Sequence, residues 1–338
     1  MIEFPWSDPP ETGGIEVVAP GIRWVRMLLP FRLDHVNCWL IGEGSEAVLI
    51  DTGIGNTATL EVWQSIFEKS LPGHLLATHF HPDHMGLAGW FHRQGIQLIG
   101  SEIETRLSRD IWAVSDQHYG EHYAEWYREN GLPAEAVSAV QRIGNSYRKG
   151  VHEPPPADAW QYLDAGKAVT LAGQEFTVMI GHGHAPAMLM LYSAALGVLI
   201  AADQVLPSIT PNVSLMPMSL DADPLSSFLS DCKSLKALPK DTLVLPSHGL
   251  PFRGLHSRLD QLLVHHKERL EEVTRACQSP QTPYALFELL FGRKLDAQQM
   301  SFALGESLAH LVHLEHKGEL QRYEEDGLQY FRGVKSAD

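Results

Sequence analysis

The run Thr78-His79-Phe80-His81-Pro82-Asp83-His84-Met85-Gly86 constrains this chain more than any other feature in it. Four side chains able to hold a metal fall within six residues, between the apolar segment HLLAT and a helical pattern over residues 86–94. Such a run needs a fold that ends a strand, turns at Pro82 and starts a helix beside a cleft. In an extended segment His79 and His81 point to the same side, because strand side chains repeat with period two. A tight turn at Pro82 then brings Asp83 and His84 to bear on a neighbouring point. Imidazole and carboxylate donors suit two borderline-soft ions, each wanting about four N or O ligands. Two such ions about 3.5–4 Å apart share a hydroxide that is a strong nucleophile near neutral pH. A lone histidine would read as a solvated or packed one, but this spacing reads as a metal site.

The surrounding chain supplies layers to carry that site. IEVVAP, IRWVRMLL, HVNCWLIG and EAVLID read as strands separated by Gly and Pro. A helix over 57–69 and a strand at QLIG continue the alternation, which argues for an α/β layered domain. From about 101 to 163 the character changes to an inserted helical cap, with helices expected at 103–114, 118–130 and 134–150. The three prolines of HEPPPADAW close it. Strands resume at KAVTL, QEFTVMI, MLMLYS, GVLIAAD and DTLVLPSHG. The reading is one domain over 1–255 containing the cap, then a module over 256–338. That module has three helices and a hairpin signalled by Asp326-Gly327, a winged-helix-like order.

Composition narrows the partners. A net charge of -15 counts against phosphate backbones and acidic lipid, and so against a nucleic-acid partner. The C-terminal module carries more acidic than basic residues, where a DNA-reading wing is basic, so a packing or dimerisation role is expected and a homodimer stays open. No run reaches the ~20 apolar residues that span a bilayer, so no membrane partner is expected. The first residues carry no secretory pattern, and Cys38, Cys232 and Cys277 have no ligand spacing; both point to a cytoplasmic protein with reduced thiols.

THFHPDHMG resembles the HxHxDH signature of the metallo-β-lactamase superfamily, and the resemblance extends over about residues 15–255. It implies a four-layer αβ/βα sandwich. By the same resemblance, Asp51 in LIDTG supports the metal loop through hydrogen bonds. His184 in GHGHAPAM, Asp203 in IAADQV and His248 in VLPSHG match the remaining ligands. One ion would be held by His79, His81, His184 and Asp203, the other by Asp83, His84, Asp203 and His248. His182 competes with His184 for the same role, and the following Ala-Pro favours His184, leaving His182 as a cleft residue. Ala187 stands where this family commonly has Gly. His35 is placed beside the cleft by family topology.

The implied cofactor is two zinc ions, with iron and manganese accepting the same donors. The implied reaction is hydrolysis of an activated carbonyl in a small acyl substrate, a thioester, ester or lactone, with Asp83 orienting the attacking hydroxide. A phosphodiesterase or ribonuclease of the same superfamily is the alternative, disfavoured by the charge and by the short span from Asp203 to His248. A metal-bearing regulatory protein is a third reading, and a mononuclear iron oxygenase a fourth. Tyr119 and Tyr123 belong to an aromatic stripe of the cap, read as core packing with a substrate-cleft role as second reading. His265, His266, His310, His313 and His316 read as surface or packing residues, and no pattern offers His313 an acidic partner.

Overall fold

Short apolar strands start the chain as an antiparallel meander. In the computed structural model, which describes residues 1–31, 33–217, 219, 222–292 and 295–334, β1 (Ile15–Ala19), β2 (Ile22–Leu28), β3 (His35–Ile41) and β4 (Val48–Ile50) pair in succession. Helix α1 (Thr57–Ile66) leads to β5 (His74–Leu76), parallel to β4. Helices α2 (Pro82–Met85) and α3 (Ala88–Arg93) lead to β6 (Gln97–Gly100), parallel to β5, and β7 (Trp160–Tyr162) completes a seven-stranded sheet. The second sheet has five strands in the order β12-β11-β10-β9-β8. Its members are β8 (Ala168–Leu171), β9 (Gln174–Gly181), β10 (Met188–Ser193), β11 (Val198–Ala202) and β12 (Leu243–Pro246), the last parallel to β11.

Trp24, Trp39, Ile50, Leu76 and Ile99 of the first sheet share one buried cluster with Phe176, Val178, Leu189, Ile200 and Leu245 of the second. The two sheets therefore pack face to face around a common core, giving the α/β sandwich expected from the sequence.

The chain divides into two compact units. The first comprises Met1–Ala113, Ser146–Pro211 and Leu235–Leu259; the second comprises Val114–Asn145, Asn212–Ser234 and Asp260–Asp338. Of the segment 101–163, helices α4 (Glu102–Trp112) and α7 (Ser146–Lys149) lie in the first unit, and α5 (Asp116–Glu129) and α6 (Ala134–Ile143) in the second. The single helix expected over 134–150 is broken at Gly144. Its φ is 63°, and a Cβ there would lie 2.8 Å from the Asp116 Cβ, so the chain turns where only glycine fits.

The second unit also holds α8 (Pro224–Ser234), most of α9 (Leu255–Ala276), α10 (Phe287–Phe291) and α11 (Ala297–His316). A hairpin of β13 (Leu320–Glu325) and β14 (Leu328–Gly333) follows, turning through Asp326 and Gly327 at φ 52° and 75°. Two consecutive positive φ values are what a type I′ turn requires, which is why the Asp-Gly signal is readable. His266 and His310 are fully buried and lie 3.3 Å apart, Nδ1 to Nε2, as packing residues. His313 does have an acidic partner: Asp223 Oδ2 is 3.0 Å from its Nδ1, brought from 90 residues upstream. Cys38, Cys232 and Cys277 are buried and unbridged. Among the described residues no helix is long and apolar enough to cross a membrane.

Candidate metal centre

The site is built where strands of the two sheets end. Asp51 follows β4 with φ 61°, and Asp203 follows Ala202, whose φ is 46°. Left-handed backbone at non-glycine residues costs roughly 1–3 kcal/mol and is held only where neighbours enforce it. At Asp51 the neighbours are explicit. Its Oδ1 accepts from the Thr78 N–H and its Oδ2 from the Thr78 hydroxyl, both at 2.8 Å. Oδ2 also accepts from His84 Nδ1 at 2.8 Å.

Those bonds bend the chain after β5, which ends at Leu76. His79 and His81 are therefore not on a pleated strand, contrary to the period-two expectation. A bend brings them together instead, with His79 Nε2 3.0 Å from His81 Nδ1. Helix α2 then begins with Pro82 in its first turn and carries Asp83 and His84. Gly86 lets that helix lie against other backbone: a Cβ there would overlap Pro82 O and Gly55 N and come within 2.8 Å of Gly150 O.

From the second sheet come His184, before β10, Asp203, after β11, and His248, after β12. His184 Nε2 lies 3.1 Å from His81 Nδ1 and 3.2 Å from Asp203 Oδ2. His248 Nε2 lies 3.4 Å from Asp203 Oδ2 and 3.6 Å from Asp83 Oδ2. His84 Nε2 is 3.5 Å from Asp83 Oδ2 and 3.7 Å from Asp203 Oδ1. Among the described residues the donor atoms fall into three groups: His79, His81 and His184; His79, His84 and Asp203; Asp83, His84 and His248. Donors about 2.0–2.1 Å from a common tetrahedral ion stand roughly 3.3 Å apart, the scale of these separations.

Hydrogen bonds on the far side of three of the rings aim their lone pairs inward. His79 Nδ1 is 3.0 Å from the Thr78 hydroxyl, His84 Nδ1 donates to Asp51, and His248 Nδ1 donates to His35 O at 2.6 Å. Each then presents Nε2 as a donor to a cation. The buried atoms His84 Nε2 and Asp203 Oδ1 have no hydrogen bond at all. Buried polar atoms are normally satisfied, so this pair fits a site shaped for cations. Electrostatics agrees. Burial, then the neighbouring rings, hold His81 down to about 3. Burial works against a charged His84, yet Asp83, Asp51 and Asp203 outweigh it and hold its pKa well above the usual value. The carboxylates thus draw positive charge into the site, as a cation-binding cluster does.

The remaining sequence candidates take different places. His35 is engaged at both nitrogens, Nδ1 with Asp34 Oδ1 at 2.6 Å and Nε2 accepting from the Gly249 N–H at 2.8 Å, so it braces the His248 loop. None of the three donor groups includes His182, whose carbonyl accepts from Gln204 Nε2 at 3.3 Å. Tyr119 and Tyr123 lie in the second unit, buried and stacked with ring centroids 4.1 Å apart.

Sequence reasoning passed over three residues. Asn37 is buried and accepts from Trp24 Nε1 at 2.8 Å while donating to Pro246 O and Gly249 O at 2.8 and 2.7 Å, flanking His248. Its only signal was an amide inside an apolar strand. Glu104 is buried among backbone N–H groups, and burial pushes its carboxyl up to about 7. It had no signal, since a glutamate in a helix's first turn ordinarily faces solvent. Tyr147 of α7 stacks on Phe80 at 5.6 Å and stands 6.0 Å from the His81 ring, ring centre to ring centre.

Known proteins share this fold. A family model described as the metallo-beta-lactamase superfamily matches residues 31–248, and one described as the metallo-beta-lactamase-like C-terminal domain matches residues 270–334. The crystal structure of a beta-lactamase domain protein from Burkholderia ambifaria is 37% identical, covers 98% of both chains and superposes with a TM-score of 0.90. A metallo-beta-lactamase family protein from Thermus thermophilus is 29% identical over 94% of this chain and 100% of its own, with a TM-score of 0.79. The beta-lactamase-like protein 2 homolog of Caenorhabditis elegans is 20% identical over 249 residues, 73% of this chain; the match spans 66% of that relative's length.

Proposed function

The chain belongs to the metallo-beta-lactamase superfamily, a hydrolase family, and from that premise we propose that it uses two zinc ions to hydrolyse an activated carbonyl, a thioester, ester or lactone. The observation that carries the reading is the position of Asp203. One of its oxygens is 3.2 Å from His184 and 3.4 Å from His248, between the two halves of the donor set, where a carboxylate shared by two ions belongs. Bound divalent ions supply a water ionised near neutral pH and positive charge for the developing oxyanion.

The protein's own groups do the positioning. His79, His81, His184 and Asp203 would hold one ion; Asp83, His84, Asp203 and His248 the other. Desolvation raises the Asp83 carboxyl, but His84 and His248 overcome it and keep the group ionised. Its side chain is 20% exposed while His84 and His248 are sealed, so among the ligands of the second ion Asp83 would be the one placed to orient an attacking water. The net charge of -15 favours a small acyl substrate over a nucleic acid. Three buried cysteines that form no disulfide suit a reducing compartment such as the cytoplasm.

Elemental analysis of the purified protein, joined to a panel of acyl-CoA, acyl-glutathione, aryl-ester, lactone and phosphodiester substrates, tests this reading. Two zinc ions per chain with turnover of a carbonyl substrate are expected. Turnover of the phosphodiester alone would overturn the carbonyl assignment, and a protein that retains no metal would overturn the whole.

A further inference from the structure

We propose that Glu104 is a positioning residue that sets the first metal position, formed by His79, His81 and His184, a role that rests on the dinuclear reading above. Glu104 lies in the first turn of α4 and is fully buried. Its Oε2 accepts the Phe80 N–H at 3.1 Å, and Phe80 stands between two of the donors. Its Oε1 accepts the Ala187 N–H at 2.5 Å, three residues beyond His184. Phe80 follows β5 of the first sheet and Ala187 precedes β10 of the second. A single carboxylate thus ties together the two loops that must agree on one ion.

The chemistry requires an acid at this place. Both partners are backbone donors, so both side-chain oxygens accept, which a carboxyl group allows and a carboxamide does not. A glutamine of the same shape would turn an NH2 group against one of the two N–H groups. Burying such a group is costly, and the two backbone bonds offset part of that cost. The Leu189 N–H donates to Thr78 O at 2.9 Å and joins the same two segments, so a further bond supports the 3.1 Å approach of His81 and His184. The group of Asp83, His84 and His248 is held by different bonds, Asp51 to His84 and His35 O to His248. Loss of Glu104 therefore falls on one position and spares the other.

The test is metal titration of the metal-free wild type and of Glu104→Gln by competition with a chromogenic chelator, together with the visible absorption of the cobalt-loaded proteins. Wild type is expected to take two ions. The variant keeps one at unchanged affinity, binds the other about 10–100-fold more weakly, the usual effect of losing a residue that orients a ligand, and alters the absorption of one cobalt only. Glu104→Asp, one methylene shorter but still charged, reaches a single partner and falls between the two. Should neither variant fold, the Ala187 amide proton of wild type is followed by NMR: a downfield resonance that moves with one metal equivalent and not the other is expected. Equal weakening at both positions, or no change at either in a folded variant, overturns the role of Glu104 and leaves the dinuclear reading standing. An amide insensitive to metal does the same. A wild type that binds no metal removes both.

Discussion

Asp51 and His84, 33 residues apart in the chain, are joined by a 2.8 Å hydrogen bond from His84 Nδ1 to Asp51 Oδ2. The same carboxylate takes both donors of Thr78, so one side chain bends the loop that carries His79 and His81 and also aims His84. The end of β4 is thereby welded to the start of α2.

Asp51→Ala should leave three buried donors without an acceptor, each costing about 1–3 kcal/mol. A fall in thermal midpoint and a roughly 10–100-fold loss of metal affinity are expected together. Unfolding scans with and without zinc, alongside chelator competition, check both; a variant with wild-type metal affinity would contradict the arrangement.

Single-ligand variants should dissect the site by stoichiometry. His81→Ala is expected to retain the ion held by Asp83, His84 and His248, and His248→Ala the ion held by His79, His81 and His184. Asp203→Asn, which touches both halves, should weaken both. Elemental analysis after dialysis reads the result, and identical stoichiometry in all three variants would argue against two separate positions.

Asn37→Ala should act at a distance from the donors. It strips partners from Trp24 Nε1, Pro246 O and Gly249 O, the last two flanking His248. The ion at the His248 position is expected to bind more weakly, with the other unaffected, in the same chelator titration.

Gly86→Ala should be poorly tolerated even though Gly86 has ordinary helical φ and ψ. The new methyl group would press on the backbone of Pro82, Gly55 and Gly150 at once, and none of those can swing away as a side chain could. Overpacking of this kind costs about 1–3 kcal/mol, readable as a lower midpoint in denaturant and less metal bound per chain.

The second unit should lose stability on mild acidification. Burial lowers His266 to about 2 and His310 to about 4, each also opposed by neighbouring positive charge from His265 and His313, with Arg269 acting on His310. The unfolded chain takes up these protons near pH 6.5 while the folded one refuses them, so the stability present above 6.5 declines as pH falls toward 4. Glu306, pushed up to about 7 by burial with Arg269 opposing, works the other way, gaining stability as pH drops from 7 to its unfolded value of 4.5. Glu129, raised by burial and by Glu125, acts in the same direction as Glu306, and the larger shifts of the two histidines leave a net decline. The double variant His266→Gln with His310→Gln should flatten the pH profile of thermal unfolding between 6.5 and 4; an unchanged slope would refute the assignment.

Much of this molecule was legible before any tertiary contact was known, and for a physical reason. Strand alternation, the Asp-Gly hairpin and the grouping of His79, His81, Asp83 and His84 depend on neighbours a few residues apart, and such local rules act on the sequence directly. The later positions, His184, Asp203 and His248, carried no local pattern and came from family resemblance. What only the tertiary structure decided is how the parts are held. Glu104 meets Phe80 and Ala187, Asn37 meets Pro246 and Gly249, and Asp223 meets His313, each across separations that leave no periodicity to read. Even the approach of His79 to His81 came from Asp51 bending the loop rather than from strand pleat. The donors follow from residue chemistry, whereas the bonds that aim them depend on distant backbone groups that the sheets bring together.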